Sequence, residues 1–431
     1  MTRICMLGLG YIGLPTASMF AVAGQTVIGV DPSPRIQHAL ASGSLPIEEP
    51  ELKTLVTAAL NSGNLRVQTR PEPADVFIIA VPTPLDESTK RADLSFVKQA
   101  ARDILPYVRR GNLVVLESTV PPGTTREVLA PILAESGLRP GHDLCVAHCP
   151  ERVLPGRILF ELAENDRIAG GLTPGCAERA AEVYGSFVKG AIMRTSATTA
   201  ELVKVMENTY RDVNIALANE FALIAERIGV DVWDAIRLAN HHPRVNVLQP
   251  GPGVGGHCIA VDPWFLVGAA PDEAHLIRSA RAVNDAMPTH VLALLAEMAA
   301  PPAPIALLGL TYKAEVDDVR ESPALEVARQ AVAAGYGVRL CDPHVTADMP
   351  GLPAKPLPIE QALSSAEAVV LLVNHKAFVE LDLDLVAALV GRKQLLDARG
   401  AVDVSAWQAH GFTVRVLGSG APSFEHARSH V

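Results

Sequence analysis

The sequence predicts an α/β protein in which two doubly wound domains, 1–195 and 299–431, are joined through a middle segment, 196–298, built on a long helix. Three observations predict this. Apolar runs of strand length alternate with helix-length stretches at both ends of the chain, a single helical pattern covers 199–228, and Pro301-Pro302-Ala303-Pro304 punctuates the start of the second alternation. At 431 residues the chain can bury more than one core. It is 49% hydrophobic and 19% charged, and no uninterrupted apolar run is long enough to cross a bilayer, so no membrane partner is expected. A net charge of −10 argues against a nucleic-acid surface. Met1-Thr2-Arg3 leads into an apolar strand with no small-residue cleavage site behind it, which predicts a cytoplasmic protein.

The first element is the strand Ile4-Cys5-Met6-Leu7, followed by the turn Gly8-Leu9-Gly10-Tyr11-Ile12-Gly13 and a helix over 15–23. A second strand, 27–30, ends in Asp31. A strand, a G-x-G-x-x-G turn, a helix and a later acid form the βαβ unit that holds a dinucleotide, so this domain is predicted to be Rossmann-like. Gly8 makes the tight turn, Gly10 admits the pyrophosphate, Gly13 lets helix and strand pack, and Asp31 accepts from the adenosine ribose. An acid there disfavours the extra phosphate of NADP and favours NAD, with Arg35 the one nearby cation that weakens the argument.

Strands over 76–81, 113–117 and 144–149 continue the sheet. Thr83 and Thr119 fall just past strand ends, where such folds bind ligands, and become candidates for the nicotinamide side. Glu151 and Arg152 sit at the same edge, either facing a reacting group or pairing with each other. Cys145, His148 and Cys149 are the nearest approach to a metal cluster, but strand alternation points His148 away from the two cysteines and no metal is expected. The six cysteines show no paired spacing, which suits a reducing compartment.

On the long helix, Lys204, Asn208 and Arg211 share one face at i, i+4 and i+7. A solvated face would explain them. A lysine and an asparagine one turn apart can also donate together to an oxygen that becomes negative during reaction. A short helix over 232–240 then leads through His241-His242-Pro243-Arg244 to Gly251-Pro252-Gly253-Val254-Gly255-Gly256-His257-Cys258. Four glycines before a lone cysteine would let a ligand lie against the main chain. In the last third, strands at 305–310, 338–341, 369–373 and 395–397 alternate with helices. No full glycine fingerprint is present there, although Lys313 at a strand end could hold a phosphate. The tail, 418–431, is expected to fray.

These residues resemble the nucleotide-sugar 6-dehydrogenases, the UDP-glucose/GDP-mannose dehydrogenase family. The resemblance rests on Gly8 to Gly13, Val81-Pro82-Thr83-Pro84, Glu117-Ser118-Thr119, Cys149-Pro150-Glu151-Arg152, Lys204 with Asn208, the glycine run to Cys258 and Asp262, and two later motifs, Gly309-Leu310-Thr311-Tyr312-Lys313 and Asp317 to Pro323. It implies a four-electron oxidation of a primary alcohol at C6 of a UDP-sugar, with NAD as cofactor. Cys258 would form a thiohemiacetal and then a thioester, Lys204 and Asn208 would stabilise the oxyanion, and Asp262 or Glu151 would activate water.

By the same resemblance Arg152, Val153, Lys204, Asn208, Arg211, His242, Arg244, Gly255, Tyr312 and Lys313 would bind the substrate. Gly8, Gly10, Tyr11, Ile12, Gly13, Asp31, Thr83, Thr119 and Arg320 would bind NAD. His242 and Arg244 would reach across a homodimer interface built on the long helix. Tyr312 stands where the family often has Phe. UDP-N-acetylmannosamine, UDP-N-acetylglucosamine and UDP-glucose differ at C2, and the segments 149–156, 165–167 and 242–258 resemble most those that act on the first. A β-hydroxyacid dehydrogenase would not need Cys258 or the second domain, and a non-catalytic sensor would not need the nucleophile.

Overall fold

The computed structural model describes residues 2–420 except 46, 48, 87, 155, 347, 348 and 350. Pro155, within the 149–156 motif, and residues 421–431 of the tail therefore lie outside the described residues. The chain divides into two compact units, Met1–Glu207 with Trp264–Glu273, and Asn208–Pro263 with Ala274–Val431.

The first unit is built on β1 (Arg3–Leu7), β2 (Thr26–Val30), β3 (Leu65–Gln68), β4 (Val76–Ile79), a small hairpin of β5 (Leu85–Asp86) and β6 (Arg91–Ala92), β7 (Leu113–Leu116), β8 (Cys145–His148), β9 (Arg167–Gly171) and β10 (Ile192–Ser196). Apart from the hairpin these strands form one eight-stranded sheet in the order β10-β9-β8-β7-β4-β1-β2-β3. Ile4 and Met6 enter one core and Cys5 and Leu7 another, as alternation in a sheet covered on both faces requires. The expected parallel sheet holds from β3 to β8, but β9 runs antiparallel to β8 and β10 follows β9. The order reverses between β1 and β4, so the ends carrying Gly8 and Ala80 flank the switch point where such sheets bind ligands.

The helix predicted over 199–228 spans Ala197–Ile228. In the second unit, β11 (Pro304–Leu308), β12 (Gly337–Cys341), β13 (Ala368–Leu371), β14 (Gln394–Asp397) and β15 (Thr413–Val416) form a fully parallel sheet in the order β12-β11-β13-β14-β15. Its helix Pro323–Ala333 starts with Pro at the first position and is capped by the Ser322 side chain, which accepts from Leu325 N. Among the described residues, no helix is long and apolar enough to cross a membrane.

Candidate active site

In the first unit, each glycine of the fingerprint has a distinct task. Gly8 has φ +95°, and a Cβ there would lie 2.3 Å from the Ala80 carbonyl oxygen. A Cβ at Gly13 would lie 2.0 Å from the Gly8 oxygen, whereas at Gly10 it would meet nothing within 4 Å. The helix Gly13–Val22 has no side chain capping its start, so its positive end remains available to an anion. Asp31 accepts from Leu9 N through one carboxylate oxygen and from Ser33 N through the other, each at 2.9 Å, and either oxygen can accept again. An open backbone at Gly10, an uncapped helix end and a carboxylate at the rim fit a dinucleotide. Thr83 Oγ1 donates to Thr119 O at 2.7 Å, joining the two loops expected near the nicotinamide.

Glu151 and Arg152 do not pair with each other. Lys204, only 7% exposed, donates to Glu151 Oε1 at 3.1 Å, while Arg152 forms an ion pair with Glu207 at 2.6 Å and donates to Asp166 O. The lysine is thus no part of a solvated stripe; Arg211, by contrast, is exposed. Arg152 and Val153 line a small cleft with Pro150, Asn165 and Arg167.

Beneath this edge, Arg167 pairs with the fully buried Glu117 and lies 4.0 Å over the Tyr184 ring. Burial pushes the Glu117 carboxyl up to about 7 despite the arginine. Burial also pushes His148 down to about 3, which keeps its imidazole neutral, and Cys145 and Cys149 pack on one face of the sheet.

One residue here carried no signal in the sequence beyond being an acid on an apolar helix. Glu201 is fully buried and accepts from Gly123 N at 2.6 Å, Thr125 N at 2.7 Å and Thr125 Oγ1 at 2.6 Å. It closes the start of a π-helical turn, Thr125–Leu129, whose first N–H groups would otherwise lack partners.

In the second unit, Asn208 Nδ2 donates to the buried Asp262 Oδ2 at 2.6 Å. The glycine run is anchored at its start by Gly251 N donating to Asn219 Oδ1, and Asn219 in turn bonds Asn284, which donates to Asp212. The later glycines also have a packing reason. A Cβ at Gly255 would lie 2.4 Å from Glu321 O and 2.9 Å from Tyr312 Cβ, and one at Gly256 would lie 2.9 Å from the Tyr312 ring. The chain's own 312–323 segment fills the space that the missing side chains leave, so within this unit these glycines serve packing.

Cys258 follows directly, with His257 Nδ1 3.0 Å from its sulfur. Arg320, expected at NAD, holds Asp318 through both Nε and Nη2. Lys313, His242 and Arg244 are exposed. Glu315, His344 and His375 bring three possible ligand atoms within 4.8 Å. Both His375 nitrogens already have hydrogen-bond partners, Glu315 N on one side and Thr311 Oγ1 with Asp342 Oδ2 on the other.

A dinucleotide cradle followed by a second, differently finished nucleotide-type fold defines an NAD-dependent oxidoreductase with two such domains. Sequence models of the UDP-glucose/GDP-mannose dehydrogenase family match in three parts: the NAD binding domain at residues 2–188, the central domain at 198–286 and the UDP binding domain at 306–404. The chain belongs to that family. It is 48% identical over 424 residues to the UDP-N-acetyl-D-mannosamine dehydrogenase of Methanocaldococcus jannaschii, covering 97% of each chain. It is 50% identical over 415 residues to the NDP-N-acetyl-D-galactosaminuronic acid dehydrogenase of Ralstonia nicotianae, covering 92% of this chain and 95% of that one. The solved UDP-D-ManNAc dehydrogenase of Pyrococcus horikoshii superposes with a TM-score of 0.89 at 44% identity, covering 97% of this chain and 99% of that one.

Proposed function

We propose that this protein oxidises C6 of UDP-N-acetyl-D-mannosamine to the carboxylate, giving UDP-N-acetyl-D-mannosaminuronate. The observation that carries the reading is the end-to-end likeness to relatives bearing that activity in their names. UDP-N-acetylglucosamine and UDP-glucose are the alternative substrates. NAD, when bound, supplies the hydride acceptor for both oxidations. Gly8, Gly10, Tyr11, Ile12, Gly13, Asp31, Thr83, Thr119 and Arg320 hold it.

The sulfur of Cys258 adds to the aldehyde and keeps the second hydride transferable, because a thiohemiacetal carbon still bears hydrogen. Sulfur then leaves the thioester more readily than a serine oxygen would leave an ester. Lys204 and Asn208 donate to the oxyanion, and one of the carboxylates they touch, Glu151 or Asp262, takes a proton from water. Arg152, Val153, Arg211, His242, Arg244, Gly255, Tyr312 and Lys313 bind the sugar nucleotide.

In this reading residues 1–195 bind NAD, 196–298 carry Lys204 and Cys258 and form a homodimer interface, and 299–431 bind the UDP moiety. An exposed apolar stripe on the long helix supports the dimer: Tyr210, Leu217, Phe221, Ile224 and Ile228 recur at helical spacing. His242 and Arg244 reach the partner copy, and the protein works in the cytoplasm. The test offers a panel of UDP-sugars with NAD and counts NADH. Two NADH per UDP-N-acetylmannosamine, at the highest kcat/KM of the panel, is the expected result; one NADH per sugar would overturn the chemistry, and a better substrate would rename the sugar.

A further inference from the structure

Cys258 needs its proton removed before it can attack, since the thiolate is the nucleophile and a free thiol ionises near pH 8.5. The residue beside it meets this need. Gly256, at φ +81°, turns the chain, and its N–H is held by Arg320 O at 3.1 Å. That turn presents His257 Nδ1 3.0 Å from Cys258 Sγ, while Nε2 lies 3.9 Å from Asp318 Oδ2. Asp318 is itself fixed by Arg320, whose Nη2 donates to Oδ2 at 2.7 Å and whose Nε donates to Oδ1 at 2.9 Å. Tyr312 packs against Gly256, so Cys258, Asp318, Arg320 and Tyr312 are among the titratable groups gathered near the imidazole. A nucleophile, a base within reach of it and a carboxylate beside the base's other nitrogen supply the groups of an activated nucleophile, with Asp318 at ion-pair rather than hydrogen-bond distance.

We propose that His257 is the base that deprotonates Cys258, and that Asp318 is the positioning residue that holds the imidazole with its proton on Nε2. The inference rests on the dehydrogenase reading for the role of Cys258. The S–H bond breaks and an Nδ1–H bond forms. The sulfur pair then adds to the aldehyde carbon and the carbonyl π pair moves to oxygen. When water cleaves the thioester, the C–S bond breaks, sulfur keeps the pair, and Nδ1 returns the proton. Between addition and hydrolysis the adduct must lose its carbon-bound hydride, for which NAD, when bound, would be the acceptor. In hydrolysis water's oxygen bonds the carbonyl carbon and its proton goes to Glu151 or Asp262, so the transfers at Nδ1 move protons only.

The test requires neither sugar nor turnover: iodoacetamide labelling of Cys258 in the whole protein, read by peptide mass spectrometry from pH 6 to 9, with Cys258→Ser as blank. At pH 7 the native protein is expected to label about 10-fold faster than His257→Gln, whose profile should follow an ordinary thiol near pH 8.5. Asp318→Asn should slow labelling by a smaller factor. A purely structural histidine would leave the profile where it was. Equal profiles for native and His257→Gln protein, both folded by circular dichroism, overturn the proposal; if the variant does not fold, a labelling midpoint at or above about pH 8.5 in the native protein does the same. A shifted profile in a protein that makes no uronate would instead sink the dehydrogenase reading and leave the pair intact.

Discussion

The two nucleotide-type sheets end in the same device and finish it differently. After β1, Gly8 takes φ +95° and donates to Val30 O, Leu9 N donates to Asp31 Oδ2, and Ser33 N donates to Oδ1. After β11, Gly309 takes φ +96° and donates to Cys341 O, Leu310 N donates to Asp342 Oδ2, and His344 N donates to Oδ1. From there they part. In the first unit the helix opens at Gly13 with no side-chain cap. In the second it opens only at Pro323 and is closed by Ser322.

The position three past the strand-end residue that bonds back to β1 or β11 is Thr83 in one unit and His375 in the other, and His375 lies against Asp342 at 3.1 Å. The first device leaves a helix end and a carboxylate for a dinucleotide. The second spends its own residues on both, Ser322 on the helix start and His375 on the carboxylate.

The most damaging way to probe the likeness is to place a methyl at both turns. Gly8→Ala and Gly309→Ala each meet an atom at 2.3–2.4 Å and a left-handed backbone, so each should lose about 2–6 kcal/mol in thermal melts. A mild effect at one of them would show that the turns are not equivalent. Asp31→Ala and Asp342→Ala test the difference. The first should weaken NAD binding about 10- to 100-fold by calorimetric titration while leaving UDP binding unchanged. The second should lower stability by about 1–3 kcal/mol with NAD affinity held within about twofold. Equal losses of NAD affinity would erase the contrast.

The smallest effect is in pH. Burial pushes the Asp342 carboxyl upward, but His375 and the N–H groups of Leu310 and His344 outweigh it and hold it below the ordinary carboxylate range. A depressed carboxylate stabilises the fold fully above its unfolded value near pH 4, and that contribution disappears as pH falls through the lowered one. The gap in melting temperature between native and Asp342→Asn protein should therefore be full at pH 6 and narrow at pH 3.

What was legible in the sequence follows the range of the interaction. The Gly8–Gly13 turn, Asp31 and the long helix are local patterns, and the structure has them where they were expected. Lys204 with Glu151 lies 53 residues apart and Glu201 with Gly123 lies 78 apart, and no spacing rule joins such pairs. Glu151 and Arg152 find their partners on the helix, in Lys204 and Glu207, rather than in each other, which no local pattern reveals. The packing of the 312–323 segment against Gly255 and Gly256 was hidden as well, because a sequence shows that a side chain is missing but not what lies beside it. The reversal at β9 was equally hidden, since strand direction depends on where the connecting chain returns.

Glu201 also works as a ruler. Its carboxylate pins one turn of the long helix to the segment at 123–125, and Lys204 follows within that turn. A helix advances about 1.5 Å and rotates about 100° per residue. One residue inserted between Glu201 and Lys204 would keep the pin and swing the lysine away from Glu151, so this short interval should tolerate many substitutions but no change in length.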